Sequence, residues 1–458
     1  MTVRRRRIAV LAAVTVAMTT VTGCGAAAGW GGGVGGGGKN TINVLMVNNP
    51  QMVDLQKLTK KYFTDKTGIK VNYTVLPEDD LRDKASQEFS SQAGQYDVAS
   101  LSNFEIPIYA KTGWVAPLSS YIAKDPGFDQ QDILKPMRQA LTVDGKVYAE
   151  PFYGESSFLM YRKDILKAKG ITMPKHPTWQ QVAQIAKKVN GAKPGMAGIC
   201  LRGQPGWGQV MAPLTTVVNT FGGTWFTKDW QAQVDGKGFT DATEFYVNLV
   251  RKYGEKGAAQ AGFTECLNDL TQGSVAMWYD ATSAAGSLEA TGSPVKGKIG
   301  YVAAPVVKTK NSGWLYTWAW AIEQASTKKD AAWKFISWAS SKQYEQLVGE
   351  KLGWTQVPSG YRESLYSNPK YVAQAKAFAG PTLNAISSVD PNNPGVQARP
   401  VPGVQFVDIP EFTNLGTEVS QDISSAIAGK MSVKSALSSG QQRADDVAKQ
   451  YRKRAGEQ

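Results

Sequence analysis

From Thr41 onward the apolar positions switch between two periods. Thr41 to Val47 is mostly apolar and predicts a buried strand, and Asn48-Asn49-Pro50 turns the chain. Between Gln51 and Thr67, Leu55, Leu58 and Tyr62 recur at helical spacing until Gly68 stops the pattern. Ile69 to Leu76 alternates, with Val71, Tyr73 and Val75 on one face. A helix follows from about Asp79 to Gln92, and Tyr96-Asp97-Val98-Ala99 opens a third strand. This β-α-β-α-β order predicts a parallel sheet with helices on both faces. Ligands of such sheets bind beyond the carboxyl ends of the strands. Asn48, Asn49, Glu78, Asn103 and Glu105 therefore fall on one rim.

Leu141 to Arg162 predicts a hairpin running into a crossing strand, with Asp144-Gly145 as its turn. A second α/β segment starts near Asp164, with a helix from Thr178 to Val189 and another from Ala242 to Tyr253. Next come a helix at Cys266 to Gly273 and strands at Val275 to Tyr279 and Lys298 to Ala303. A strand from Gly313 to Ile322 leads into a helix from Lys328 to Ala339. Two helices, Leu415 to Ala428 and Val433 to Tyr451, end the chain, and no solenoid-type repeat is visible.

In the strand at 313–322, Trp314, Tyr316, Trp318 and Trp320 share one face, while small Thr317, Ala319 and Ala321 share the other with Leu315. Aromatic faces stack on the C–H patches of sugars, but the same rings could fill a core. Pro151 to Arg162 brings Tyr153, Glu155 and Ser156 together where one lobe hands over to the next. Polyhydroxy ligands need such a mixture, because each hydroxyl both donates and accepts. Gly154-Glu155-Ser156-Ser157-Phe158 lacks the second glycine of a nucleophile elbow, so a hydrolase reading fails there. Arg202 and Trp207 sit in a glycine-rich loop that can approach a ligand closely. Asp280 could hold adjacent hydroxyls or cap a helix over Ala281 to Leu288; Trp225 and Arg399 complete the candidates.

Composition narrows the chemistry. At 458 residues two lobes are expected. The single His176 leaves no histidine-rich metal site and no triad, so neither metal nor cofactor is expected. Lys and Arg total 51 against 38 acids, but they are scattered, which speaks against nucleic acid and for loose attraction to an anionic cell surface. Arg4 to Arg7 precede an apolar stretch, Ile8 to Met18, too short to span a membrane. Val21-Thr22-Gly23-Cys24 then matches a bacterial lipobox, with the Cys24 thiol as lipid acceptor; an ordinary secretory signal is the alternative. Gly25 to Asn40 contains nine glycines and reads as a tether. Cleavage before Cys24 leaves 435 residues with net charge +9. In an oxidising compartment Cys200 and Cys266 are either a disulfide or two buried thiols.

Taken together, Val47-Asn48-Asn49, Gln95 to Val98, Pro151 to Arg162, Ile199 to Gly203 with Gly206-Trp207-Gly208, Met277 to Thr282 and Gly313 to Ile322 resemble one family. It is that of the extracellular solute-binding proteins of carbohydrate ABC importers, in particular the sorbitol/mannitol-type polyol binders. The resemblance spans about Asn43 to Tyr451. It departs at Cys266 and in the tryptophan-rich strand, which bear on the ligand's identity. The resemblance implies a maltose-binding-protein-like α/β fold of two lobes, 41–152 with 304–354 and 153–303 with 355–458, hinged near Phe152 to Ser156, near Ala303 to Pro305 and after Trp354. It further implies a polyol or sugar in the cleft, closure around it, a permease partner, a lipid-anchored monomer and no chemistry on the ligand. The alternatives are a mono- or oligosaccharide receptor of the same fold, a surface glycosidase using Glu155 and Asp280, and a structural adhesin.

Overall fold

The computed structural model describes residues 40–456, so the signal segment, Cys24 and most of the glycine-rich tether lie outside the described residues. Strands β1 (Thr41–Val47), β2 (Lys70–Leu76) and β3 (Val98–Ser102) form the expected parallel core, β2-β1-β3. A short hairpin follows, β4 (Thr142–Val143) and β5 (Lys146–Val147), turned by Asp144 and Gly145 at φ of 49° and 75°. β6 (Ala149–Glu155) ends the first sheet, and β7 (Ser157–Arg162) opens a second, with Ser156 alone between them. β8 (Met277–Ala281) and β9 (Ile299–Ala303) flank β7 in antiparallel pairs. β10 (Tyr316–Ile322) returns to the first sheet, giving the order β2-β1-β3-β10-β6.

That return makes the first sheet mixed, because β10 runs antiparallel to both β3 and β6. β10 is fully buried along its length, so its two faces must both be apolar or paired. The helix that follows it packs on its aromatic face. Phe335 of the helix Lys329–Ala339 lies edge-on to Trp320, with ring centres 5.6 Å apart. Trp320 is thus core, and its strand neighbour Trp318, one repeat closer to the cleft, is what the ligand side receives.

Around the second sheet the helices Met211–Phe221, Lys237–Tyr253, Phe412–Ile427 and Val433–Gly456 pack together. Met211–Phe221 is buried at every residue, which is why no amphipathic period marks it in the sequence. Cys200 and Cys266 are joined by a disulfide that ties the 200-loop to the helix Phe263–Gln272. After Trp354 the chain first turns back to the first lobe. Tyr361 accepts from the Leu134 amide at 2.7 Å, and the fully buried Arg362 donates to the carbonyls of Phe128 and Ser340 at 2.8 and 2.9 Å. From 389 to 411 it has neither helix nor strand and runs as a strap bonded to Asn219 through the Val404 carbonyl and to the Leu315 carbonyl through Gln405.

Candidate ligand site between the two sheets

The first lobe supplies one wall. Asn49 follows β1, and Glu78 opens the helix Glu78–Ser91, where its charge meets the positive helix end. Arg82 sits one turn on and lies under the same rim. Its Nη2 donates to Glu78 Oε1 at 2.7 Å and to the Tyr316 hydroxyl at 2.7 Å, and its Nη1 reaches Glu105 Oε1 at 3.2 Å. Glu105 is held in turn by the Ser102 amide and hydroxyl at 2.7 and 2.6 Å. The guanidinium lies over Trp207 of the second lobe, 3.9 Å from the ring centre.

The second lobe answers with Arg202. Its Nε and Nη2 grip both oxygens of Asp280 at 2.8 and 2.6 Å, and Nη1 donates to the Gly208 carbonyl at 3.0 Å. A Cβ at Gly208 would come within 2.7 Å of Glu78 Oε1 and 2.8 Å of Arg82 Nε from the opposite lobe, so any side chain there would displace that pair. Two further bonds cross the cleft: Gln51 Nε2 to the Ser283 carbonyl at 3.2 Å and Gln204 Nε2 to Asp79 Oδ2 at 3.3 Å. Burial, then the neighbouring Glu78, pushes the Asp79 carboxyl up to about 6.

At the crossing itself, Glu155 accepts from the Ser283 hydroxyl at 2.5 Å. Burial pushes its carboxyl up to about 8, against the Ser283 hydrogen bond and the pull of Arg202. That favours the neutral carboxyl, which can donate as well as accept. Between these groups lies about 380 Å³ of atom-free space, part of it open to solvent. Trp314, Tyr316, Trp318, Phe263 and Phe406 supply the rings. The indole N–H of Trp314 is buried and has no protein partner.

Of the residues expected at the site, Asn49, Glu78, Glu155, Arg202, Trp314 and Trp318 line this cavity. Tyr153, Glu105, Asp280 and Trp207 stand directly behind it: Tyr153 takes a hydrogen bond from Asn49 at 2.7 Å, and the other three orient Arg82 or Arg202. Asp280 neither faces the cavity nor caps a helix. Its carboxylate is saturated by Arg202, the Trp278 indole at 3.1 Å and the Ala281 amide at 2.7 Å. That also removes it as half of a glycosidase pair with Glu155.

Others are elsewhere. Asn48 is exposed at the end of β1, and Ser156 is buried at the crossing, where its amide donates to Thr282 Oγ1. Asn103 props the start of β10 by accepting from the Thr317 amide at 2.9 Å. Trp225 packs edge-on to Phe239 and Phe412 in the second core, and Trp320 lies in the first. Arg399 donates to Gly403 O and Asn219 Oδ1 at 2.8 and 2.9 Å, holding the strap. The cavity also has walls that sequence reasoning passed over: Arg82, Gly208, Ala212, Phe263, Ser283, Tyr316, Gln405 and Phe406. Two of these carried a readable signal: Arg82, four residues after Glu78 on one helix face, and Tyr316, on the aromatic face of β10.

The bacterial extracellular solute-binding protein family matches residues 49–346. The chain belongs to that family. Over 408 residues it is 40% identical to the mannitol-binding protein of Pseudomonas aeruginosa, covering 88% of this chain and 92% of that one. A solute-binding protein of an Agrobacterium vitis ABC transporter, solved with bound D-mannitol, superposes with a TM-score of 0.87 at 42% identity over 90% of this chain and 99% of that one. A maltose-bound T. maritima protein, 19% identical over 89% and 99% of the two chains, shares the fold at a TM-score of 0.76. This solute-binding protein therefore has the two-lobed, maltose-binding-protein-like fold, and the family places it outside the cytoplasm. Relatives in this family are solute-binding proteins of transporters.

Proposed function

We propose that this solute-binding protein captures a linear polyol of about hexitol size and hands it to the permease of an ABC importer. The observation that carries the reading is the cavity's polar bookkeeping. Arg82 is matched by Glu78 and Glu105 and Arg202 by Asp280, so no free cation awaits an anionic ligand. Beside the Glu78–Arg82 pair, what remains for a ligand is the Glu155 carboxyl, the Trp314 indole N–H, Asn49, Ser283 and Gln405, set among aromatic walls. That is the pattern for a neutral chain of hydroxyls, and a site so built rejects analogues that leave its groups unpaired. The 40% and 42% identity to mannitol-linked proteins supports the hexitol class.

The ligand touches both lobes, so binding favours closure about the crossings at Glu155–Ser157, between β9 and β10, and past Trp354. In this reading the lobes are 41–152 with 304–354 and 153–303 with 355–458, residues 359–364 remaining bonded to the first. The chain acts as a monomer, anchored to the outer face of the membrane by lipid on Cys24. The test is calorimetry on the chain from residue 24 with Cys24→Ser, titrated with mannitol, sorbitol, arabitol, glucose and maltose. Binding of a hexitol at least about tenfold tighter than of the ring sugars is expected. Preference for glucose or maltose would retire the polyol assignment. Metabolic labelling with a fatty-acid analogue, lost in Cys24→Ser, tests the anchor.

A further inference from the structure

The strap at 389–411 contains five prolines, at 391, 394, 400, 402 and 410, and no regular structure, yet it is firmly tied down. Asn219 Nδ2 donates to the Val404 carbonyl at 2.8 Å, Gln397 Nε2 to Gly222 O at 2.7 Å, and Gln405 Nε2 to Leu315 O at 3.1 Å. Gly403, at φ 129°, makes the turn that brings the next residues inward, and a Cβ there would strike the Phe406 carbonyl. The turn delivers Gln405 and Phe406, exposed by only 3% and 4%, to the cleft. Phe406 packs against Phe104 of the first lobe and Trp207 of the second, ring centres 5.4 and 4.9 Å away.

Both residues also face a second cavity on their far side. It holds about 1190 Å³ of atom-free space open to solvent. Phe104, Pro107, Pro136 and Leu315 give it an apolar floor, and Asn103, Gln139, Thr142 and Asn392 line it with polar groups. This mixture would suit a sugar ring. Gln405 and Phe406 lie in the walls of both spaces, so they are a partition between them.

We propose that the Gln405–Phe406 turn sets the ligand's length, confining it to a single polyol chain and barring glycosylated polyols and disaccharides whose extra ring would otherwise occupy the outer cavity. This rests on the polyol reading and adds to it the element that ends the site.

The experiment compares the wild-type chain with Gln405→Ala/Phe406→Ala against two probes: mannitol, and maltitol, a hexitol carrying one glucosyl ring. Wild type should bind maltitol about 100-fold or more weakly than mannitol. The double variant should bind maltitol at least about tenfold more tightly than wild type does, whatever mannitol affinity it loses with Gln405. If the double variant fails to fold by circular dichroism, Phe406→Leu combined with Gln405→Ala is judged by the same gain. Wild-type binding of both probes with equal affinity overturns the partition, as does a folded variant whose maltitol affinity is not raised. Both leave the polyol reading standing. Wild type that binds neither probe refutes the polyol reading and the partition with it.

Discussion

Asp280→Asn is the most incisive perturbation, because it changes one charge and almost no volume. Asp280 is fully buried and accepts four hydrogen bonds, two of them from Arg202 at 2.6 and 2.8 Å. Asparagine offers one acceptor oxygen where the carboxylate offers two, and turns an NH₂ donor toward donors. Arg202, itself only 5% exposed, is left as a buried cation without its counter-ion. Breaking a buried pair from one side typically costs ~3–5 kcal/mol. Urea unfolding followed by tryptophan fluorescence should show a loss in that range. Mannitol affinity should fall at least about tenfold, since the unpaired guanidinium moves into the cavity it lines. Adding Arg202→Met should recover about 2 kcal/mol or more of the stability lost, because no charge is then stranded. A loss below about 1 kcal/mol for Asp280→Asn, or strict additivity in the double variant, would refute the account of this pair.

Three further outcomes are expected. Glu155 has its folded value raised from 4.5 to about 8, so the folded state holds the proton that the unfolded chain has released; its contribution to stability falls as pH rises from about 4.5 to 8, by at most about 1.4 kcal/mol per unit, and Glu155→Gln should make the slope in urea titrations of the ligand-free protein shallower by up to that amount, the rest staying with Glu150, Glu255, Glu323 and Asp408, which burial also raises. Trp318→Phe should weaken mannitol binding severalfold in calorimetry, whereas Trp320→Phe, in the core, should lower the urea midpoint and leave affinity within about twofold. Replacing both Cys200 and Cys266 by Ser opens a loop spanning 66 positions and should cost about 4 kcal/mol on the chain-entropy account; an unchanged midpoint, with and without dithiothreitol in the wild type, would show that the bridge does not constrain the unfolded chain.

The identity of the elements was written locally. The apolar run at Thr41–Val47, the helical spacing through Leu55, Leu58 and Tyr62, and the Asp144-Gly145 turn each depend on residues within a few positions, so their periods could be read directly. The rim was legible for the same reason: Asn49 and Glu78 follow strand ends, and strand ends are where such sheets bind. Of the six expected residues that line the cavity, Asn49 and Glu78 share that origin, Glu155 comes from the crossing, Trp314 and Trp318 from the aromatic strand, and Arg202 from the glycine-rich loop.

Which side chain faces the ligand was another matter. Alternation puts Trp318 and Trp320 on one face of β10, but only the packed helix Lys329–Ala339 makes Trp320 core and leaves Trp318 at the cleft. Asp280 became a counter-ion because the fold brings Arg202, 78 positions away in sequence, into its reach. Gln405 and Phe406 lie in a strap with no period at all, and nothing short-range ties them to Leu315 or Phe104. A repeat in sequence determines which face a residue takes, since that follows from backbone geometry alone. What covers that face is decided by segments outside the local repeat, once burial of apolar area and pairing of buried charge have chosen among the arrangements the chain can reach.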